Sequence, residues 1–416
     1  MGCLKSDMKS EKLERYCDVI SGYAFKSTDW RDSGVPVVKI GNISNGTDII
    51  FDEQIQYVEE EFKNKIDSKY LICKGDILLS LTGSHINQPN SMVGRCCRNR
   101  QNKLYFLNQR SGKVIPFSSA DKSYLYYLLS TKEIKYAIAN KAYGGANQVN
   151  ISPRDIKNIR WTFPRLEIQQ RIASILSAYD DLIENNNRRI KILEQMAENL
   201  YKEWFVRFRF PGYEQAEFEN GIPKGWEYKT IEELSDTLRR GISPTYDSDG
   251  KYTVINQKCI RSSILDMSEA QQQSKPYKSE LNIQDGDTVI CSTGTGTLGR
   301  VGQVYGEYKD TTYDSHVTLV RANQVVGRHF LYWSLKELQP WFMNMGIGST
   351  NQQELYRGTI KNAKILVPSN VDLLDAFENY IQDIHCQIGL LRDKNQNLTK
   401  QRDKLLPRLM SGKLEV

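Results

Sequence analysis

The sequence contains little that would suit a membrane or an oxidising compartment. No run approaches the roughly 20 consecutive apolar residues of a membrane-spanning helix, and the first residues lack the apolar segment of a secretion signal. The eight cysteines are scattered and form no C-x-x-C pair, which indicates neither a disulfide framework nor a zinc site. These absences favour a cytoplasmic protein with reduced thiols.

Sequence motifs of catalysis are also missing. The chain has no G-x-x-x-x-G-K-[ST] phosphate loop and no Asn-Pro-Pro-aromatic signature, and its four histidines show no metal-ligand spacing. The G-x-G-x-x-G at residues 294–299 imitates a dinucleotide site, but no helical pattern follows it, so we expect a glycine-rich hairpin there. The acidic pair Asp180-Asp181 is expected on the solvated face of a helix. We therefore predict no catalytic residue, no metal and no cofactor on this chain.

Acidic residues are absent from one long segment, residues 77–120. The whole chain carries 56 Lys and Arg against 50 Asp and Glu, and the resulting net charge of +6 alone says little about its partners. The acid-free segment holds the basic residues Arg95, Arg98, Arg100, Lys103, Arg110 and Lys113. We predict that Arg95, Arg98 and Arg100 face phosphates; the alternative is a solvated basic loop.

Much of the sequence is repeated about 200 residues further along. Residues 73–83 (CKGDILLSLTG) return 211 positions later as residues 284–294 (QDGDTVICSTG). Residues 147–148 return at an offset of 204 as residues 351–352. A period this long indicates a duplicated domain, and two similar units on one chain suggest a target with two halves.

Each copy combines short strand patterns with a long helical pattern. Strand-like runs such as residues 35–40 and 252–255 predict an α+β fold with twisted, mostly antiparallel sheets and short helices. Apolar residues then recur every three or four positions over residues 166–205 and 371–406. These stripes favour two long spacer helices paired as an antiparallel coiled coil, because a lone helix would leave its stripe uncovered. Only the three asparagines at 185–187 are expected to weaken the first helix.

These patterns predict domain boundaries. Globular domains are expected at residues 1–162 and 213–367. Helical spacer regions are expected at residues 163–212 and 368–416.

Polar and aromatic loops occur at matched places in the two copies. Asn and Gln can pair with adenine, Arg with guanine, and Gly permits close backbone approach, although the same residues also form ordinary turns. The candidate DNA-binding residues of the first copy are Ser84, His85, Asn87, Gln88, Arg95, Arg98, Arg100, Tyr143, Asn147 and Gln148. Those of the second copy are Thr295, Thr297, Arg300, Thr350, Asn351 and Gln352.

Four further motifs accompany the repeated Gly-Asp-x-x-x-x-x-Thr-Gly turn, namely GYAFK at 22–26, LEIQQRI at 166–172, LYKEWF at 200–205 and LLPRLMSGKL at 405–414. Together these motifs resemble the specificity subunit of type I restriction-modification systems. The resemblance covers the whole chain and implies two target recognition domains separated by two spacer helices. It implies a bipartite double-stranded DNA target whose two parts are read by the two domains.

The resemblance also implies partners that supply the chemistry. These are methylase subunits that use S-adenosylmethionine, expected as two because the chain has two similar halves, and motor-nuclease subunits that use ATP and Mg. Two alternatives remain open from the residues alone. A free-standing methyltransferase or nuclease would act without partners, and a double-headed scaffold that binds only proteins would show no salt-dependent affinity for DNA.

Overall fold

The chain folds into two compact units in a computed structural model that describes residues 9–44, 48–51, 55–88, 91–145, 148–261, 263, 265–294, 296–348 and 353–416. One unit is formed by residues 1–183 and 396–416, and the other by residues 184–395. Among the described residues, no helix has both the length and the apolar character needed to cross a membrane.

The first unit consists of short strands and helices followed by part of a long helix. Its strands are β1 (Lys9–Lys12), β2 (Cys17–Ser21), β3 (Val35–Val38), β4 (Tyr57–Val58), β5 (Leu71–Ile72), β6 (Ile77–Ser80), β7 (Thr82–Gly83), β8 (Cys96–Arg98), β9 (Tyr105–Leu107), β10 (Ser111–Pro116), β11 (Tyr143–Gly145), β12 (Gln148–Asn150) and β13 (Arg160–Phe163). Its helices are α1 (Phe62–Lys65), α2 (Lys122–Ser130), α3 (Lys132–Lys141), α4 (Pro153–Lys157) and the first part of α5 (Leu166–Tyr201).

Strand β6 lies at the centre of this unit. It belongs to an antiparallel sheet in the order β2-β10-β6-β8, and a neighbouring sheet in the order β4-β3-β9-β5 contains one parallel pair, β3 with β9. Ile77 and Leu79 belong to the core formed with α2 and α3, whereas Leu78 belongs to the core formed with β3 and β9. Since successive side chains of a strand point to opposite faces, β6 is an unbroken apolar run because both its faces are covered.

The second unit repeats this plan. The end of α5 passes into a π-helical turn at Lys202–Val206. The strands are β14 (Phe218–Glu219), β15 (Ile222–Pro223), β16 (Glu227–Thr230), β17 (Ser235–Arg240), β18 (Tyr252–Ile255), β19 (Gln271–Gln273), β20 (Thr288–Cys291), β21 (Val301–Gln303), β22 (Thr311–Tyr313), β23 (Val317–Ala322) and β24 (Lys364–Val367). The helices are α6 (Arg328–Glu337), α7 (Gln339–Asn344), α8 (Arg357–Asn362) and the first part of α9 (Val371–Met410).

The sheets confirm the predicted duplication. The order β17-β23-β20-β21 is antiparallel and corresponds to β2-β10-β6-β8, and β18 pairs in parallel with β22 as β3 does with β9. Strand β20 is again covered on both faces, with Ile290 in one core and Val289 in the other. The prediction of an α+β fold with mostly antiparallel sheets is therefore confirmed.

The described residues of the G-x-G-x-x-G segment lie between two antiparallel strands, as expected of a hairpin. Strands β20 and β21, which flank it, pair antiparallel, and no helix begins between them in the described residues. Gly299 has φ of +76°, and a Cβ there would lie 2.5 Å from the backbone nitrogen of Met343. The glycine therefore serves a close backbone approach.

Both predicted long helices are present, with changed ends. Helix α5 leaves α-helical geometry at Lys202, whereas α9 continues past the predicted residue 406 to Met410. In the second unit the helices are antiparallel, since Asn186 of α5 contacts Asn395 of α9 and Tyr201 contacts Phe377. The asparagines do not break α5, and the amides of Asn186 and Asn187 are hydrogen-bonded to Asn395 across the helix pair.

A prediction concerns this buried amide pair. Asn186 donates to Asn395 at 2.8 Å, and Asn395 donates to Asn187 at 2.8 Å. We expect Asn395→Leu to lower the free energy of unfolding by about 1–3 kcal/mol, because it leaves the buried Asn186 amide without its partner. The double replacement Asn186→Leu and Asn395→Leu should recover this loss, since both polar groups are removed together.

Urea unfolding of the variants measures the difference. The matched control is Asn397→Leu, which changes an exposed asparagine of the same helix. A single replacement at Asn395 that unfolds like this control would contradict the prediction.

Candidate nucleic-acid interface

Two predicted loops of the first unit meet where strand β6 ends. The chain continues from β6 into β7, where Thr82 pairs with Asn150 and Gly83 pairs with Val149 of β12. Strand β12 also pairs with β11, which carries Tyr143 opposite Asn150. The described residues of the segments 82–88 and 143–150, distant in sequence, are therefore neighbours. We call the described residues 82–88, 143–145 and 148–150 the first loop site.

The side chains of this site differ in accessibility. Ser84 is buried, and its hydroxyl donates to the carbonyl of Gln88 at 2.7 Å, so it shapes the loop and does not reach outward. His85 is half-buried. The exposed predicted residues are Asn87, Gln88, Tyr143 and Gln148. Asn147 lies outside the described residues.

A corresponding arrangement forms in the second unit where strand β20 ends. Thr293 forms an antiparallel bridge with Glu354, which forms another with Ile347. We call the described residues 292–294, 296–299, 345–348 and 353–355 the second loop site. Thr297 is half-buried, and its hydroxyl donates to the carbonyl of Thr293 at 3.1 Å. Arg300 is half-buried beside this site. The predicted residues Thr295, Thr350, Asn351 and Gln352 lie outside the described residues.

Two backbone hydrogen bonds fix the first loop site to its sheet. The amide of Leu81 donates to the carbonyl of Arg110 at 3.0 Å, and the amide of Ile151 donates to the carbonyl of Leu81 at 2.9 Å. Arg110 directly precedes β10, and Ile151 directly follows β12. Leu81, the last residue before the loop, is thereby hydrogen-bonded on both sides. We call this pair of backbone hydrogen bonds the junction of the loop site.

The second loop site has the same junction. The amide of Ser292 donates to the carbonyl of His316 at 2.8 Å, and the amide of Leu355 donates to the carbonyl of Ser292 at 2.8 Å. His316 directly precedes β23, as Arg110 precedes β10. The duplication therefore extends beyond the cores to the loops, and it gives two equivalent surfaces.

Polar groups that the sequence analysis did not select surround the second loop site. The exposed His316 contacts the Thr293 hydroxyl through Nδ1 at 2.6 Å. Burial raises the pKa of Asp314, although its carboxylate accepts the His316 amide at 2.9 Å. Arg240 forms an ion pair with Glu354 and donates to the backbone of this segment. One signal could have identified His316 from the sequence. It directly precedes β23, at the position that Arg110 occupies before β10 in the first copy.

Comparison with known proteins identifies the family. A family model described as the type I restriction modification DNA specificity domain matches residues 5–195 and again residues 223–388. The chain belongs to this family. It is thus a specificity subunit, the DNA-recognition component of a type I restriction-modification system, and its two loop sites lie on the two matched copies.

Relatives and a solved structure agree with this assignment. The MjaIX specificity subunit of Methanocaldococcus jannaschii is 27% identical over 322 residues, which cover 74% of this chain and 73% of that protein. The putative MjaX specificity subunit of the same organism is 23% identical over 427 residues, covering 100% of this chain and 96% of the relative. The S subunit of the type I restriction-modification system from M. genitalium, known from a crystal structure, shares the fold with a TM-score of 0.55. Its sequence is 16% identical, and the match covers 98% of this chain and 97% of that one.

The arginines of the acid-free segment differ from the expectation. The side chains of Arg98 and Arg100 are only 15% and 18% exposed and lie 4.0 and 2.8 Å from the carboxylate of Asp180. Asp180 is 1% exposed and does not lie on a solvated face as the sequence suggested. Arg402 of α9 and the hydroxyl of Tyr127 also contact it, each at 2.7 Å. Arg98 and Arg100 are therefore held, together with Arg402, beside a buried helix carboxylate of the specificity subunit.

The remaining basic residues of the segment divide into two groups. Arg95 donates to the carbonyl of Ile40 at 2.8 Å, and burial lowers its pKa. Lys113 lies 3.2 Å from the carboxylate of Asp76. Arg110 and Lys103 are exposed. Because Arg110 is also part of the first junction, it is the basic residue of this segment best placed for a phosphate beside the loop site.

A prediction separates these two kinds of arginine. We expect Arg110→Ala to weaken binding to every DNA sequence and to lower the slope of log affinity against log salt concentration by about one unit, because one phosphate contact is lost. Arg98→Ala should leave the slope unchanged but lower stability, because its guanidinium pairs with Asp180 and lies 4.9 Å from the ring centre of Tyr126.

Binding measured over a series of salt concentrations distinguishes the outcomes. A reduced slope for Arg98→Ala together with an unchanged slope for Arg110→Ala would restore the sequence-based assignment and refute the structural one.

Proposed function

We propose that the specificity subunit reads a bipartite double-stranded DNA target, one half with each loop site. The observation that carries this proposal is the repeated junction, in which the same two backbone hydrogen bonds attach a loop surface to the end of β6 and to the end of β20. Equivalent surfaces with different side chains suit two half-sites of different sequence. The family to which the chain belongs supports DNA as the ligand.

The exposed polar groups of each site are suited to base edges. In the first site, the amides of Asn87, Gln88 and Gln148 can address adenine through its paired donor and acceptor in the major groove. At the second site, the half-buried Thr297 and the neighbouring exposed His316 offer single donors and acceptors. Arg300 is proposed to contact phosphate or guanine beside this site. Sequence selection then comes from the loops, and phosphate contacts such as Arg110 supply affinity.

The other predicted DNA contacts rest on the sequence alone. These residues are Asn147, Thr295, Thr350, Asn351 and Gln352. The repeat of Asn-Gln at residues 147–148 and 351–352 supports Asn147, Asn351 and Gln352, whereas Thr295 and Thr350 are supported by the matched places of the polar loops in the two copies of the sequence.

We further propose that different segments of the chain have different functions. Residues 1–162 and 213–367 recognise DNA, and the helical regions 163–212 and 368–416 set the gap between the half-sites. The chain itself is non-catalytic, acts in the cytoplasm and directs methylation or cleavage by its partners. Two methylase subunits bring S-adenosylmethionine, and motor-nuclease subunits bring ATP and Mg. The motif absences in the sequence support this role, and methyl transfer by the purified chain alone would refute it.

The proposal predicts that each half of the target can be altered separately. Replacing both Asn87 and Gln148 with Ala should relax or change one half of the methylated motif and leave the other half intact, because these exposed side chains belong to the first loop site only. His316→Ala should affect the opposite half. Methylation mapping of cells that express each variant with the methylase measures both halves at once.

A matched control defines the background. Asn64→Ala changes an exposed asparagine of helix α1, outside both loop sites, and should leave the motif unchanged. If the variants of the two sites alter the same half, or if the control alters the motif as they do, the assignment of one half to each site is wrong.

A further inference from the structure

Ile347 and Tyr143 occupy the same place in the two loop sites. Tyr143 is opposite Asn150 in the first site, and Ile347 is opposite Glu354 in the second, with the same offset of 204 residues. Both side chains are large and largely exposed, at 61% for Tyr143 and 57% for Ile347. The position thus presents a large side chain outward in each copy, but its chemistry differs.

The backbone of Ile347 is held firmly. Its amide donates to the carbonyl of Glu354 at 3.0 Å, and the amide of Glu354 donates back to Ile347 at 3.0 Å. Glu354 is itself bridged to Thr293 and forms an ion pair with Arg240. The exposed side chain therefore projects from a fixed point beside the polar groups of the second loop site.

A single exposed isoleucine is common on protein surfaces, but Ile347 follows other exposed apolar residues in the chain. Trp341, Met343 and Met345, on the chain segment leading to Ile347, are exposed as well. Contiguous exposed apolar residues mark contact surfaces. Ile347 and Met345 belong to the second loop site, and the backbone of Met343 lies beside Gly299 of that site, so the contact that these residues favour is the ligand of that site.

The apolar feature of DNA that such a residue can recognise is the 5-methyl group of thymine, which lies in the major groove. We propose, building on the function above, that Ile347 reads a thymine of the second half-site by contact with this methyl group. The half-site read by the second unit must then contain an A·T pair. The ring and hydroxyl of Tyr143 make the same position of the first site chemically different, so this thymine contact belongs to one half only.

The test removes the methyl group from the DNA. After the motif has been mapped, each thymine of the target is replaced in turn by uracil, and affinity is measured with the assembled complex of specificity and methylase subunits. One replacement in the second half-site should weaken binding roughly fourfold, the value of burying one methyl group. Ile347→Ala should lose affinity for the thymine target and no longer distinguish thymine from uracil at that position.

Two further variants control the measurement. Val325→Ala shortens an apolar side chain that is 58% exposed outside both loop sites, and it should keep the full fourfold difference. Ile347→Val keeps the branched shape and should give an intermediate difference between the thymine and uracil targets. An intermediate value would show that the effect follows the apolar contact and does not come from loss of folding.

Several results would overturn the proposal. One is a second half-site without an A·T pair, and another is a thymine-to-uracil effect that is the same in wild type and Ile347→Ala. A third is a loss of methylase assembly in Ile347→Ala with unchanged base discrimination, because that result would make the surface a protein contact. Failure of the proposed function itself would look different, because the mapped motif would then lack two separately alterable halves.

Discussion

Both loop sites depend on one central strand in each copy. This strand is hydrogen-bonded to a neighbouring strand at each edge and covered by apolar side chains on both faces. Strand β6 lies between β10 and β8, and β20 lies between β23 and β21. Their side chains alternate between a core on the helix side and a core on the sheet side. A strand held in four directions has little freedom to shift, so the first residue after it leaves the sheet at a fixed point. The position of each loop site is thus set by apolar burial at some distance from its exposed side chains.

The two copies use this shared framework for different surfaces. Arg110 in the first copy corresponds to His316 in the second, and Asn150 corresponds to Glu354, whose charge Arg240 balances. The residues change while the backbone hydrogen bonds at the junction stay the same. A shared backbone support with different exposed side chains suits the proposed recognition of two different half-sites by one chain.

The sequence predicted features that depend on local patterns. The repeated Gly-Asp turn revealed the central strands, and the apolar stripes revealed α5 and α9, because three-residue and four-residue spacing is a property of the helix itself. It did not reveal contacts whose partner is distant in the chain. Arg98 meets Asp180, 82 residues further along, and no local pattern separates such an arginine from one that contacts phosphate. His316 was missed for the same reason, since only strand pairing brings it beside Thr293.

The central claim is that each copy carries the information for its own half-site. A graft tests it most directly: residues 1–162 are replaced by residues 213–367 of the same chain, with both helical regions kept, and the methylated motif is mapped. The account predicts a motif whose two halves have become the same sequence, that of the half previously read by the second copy. An active graft that still methylates the original two-part motif would contradict the account.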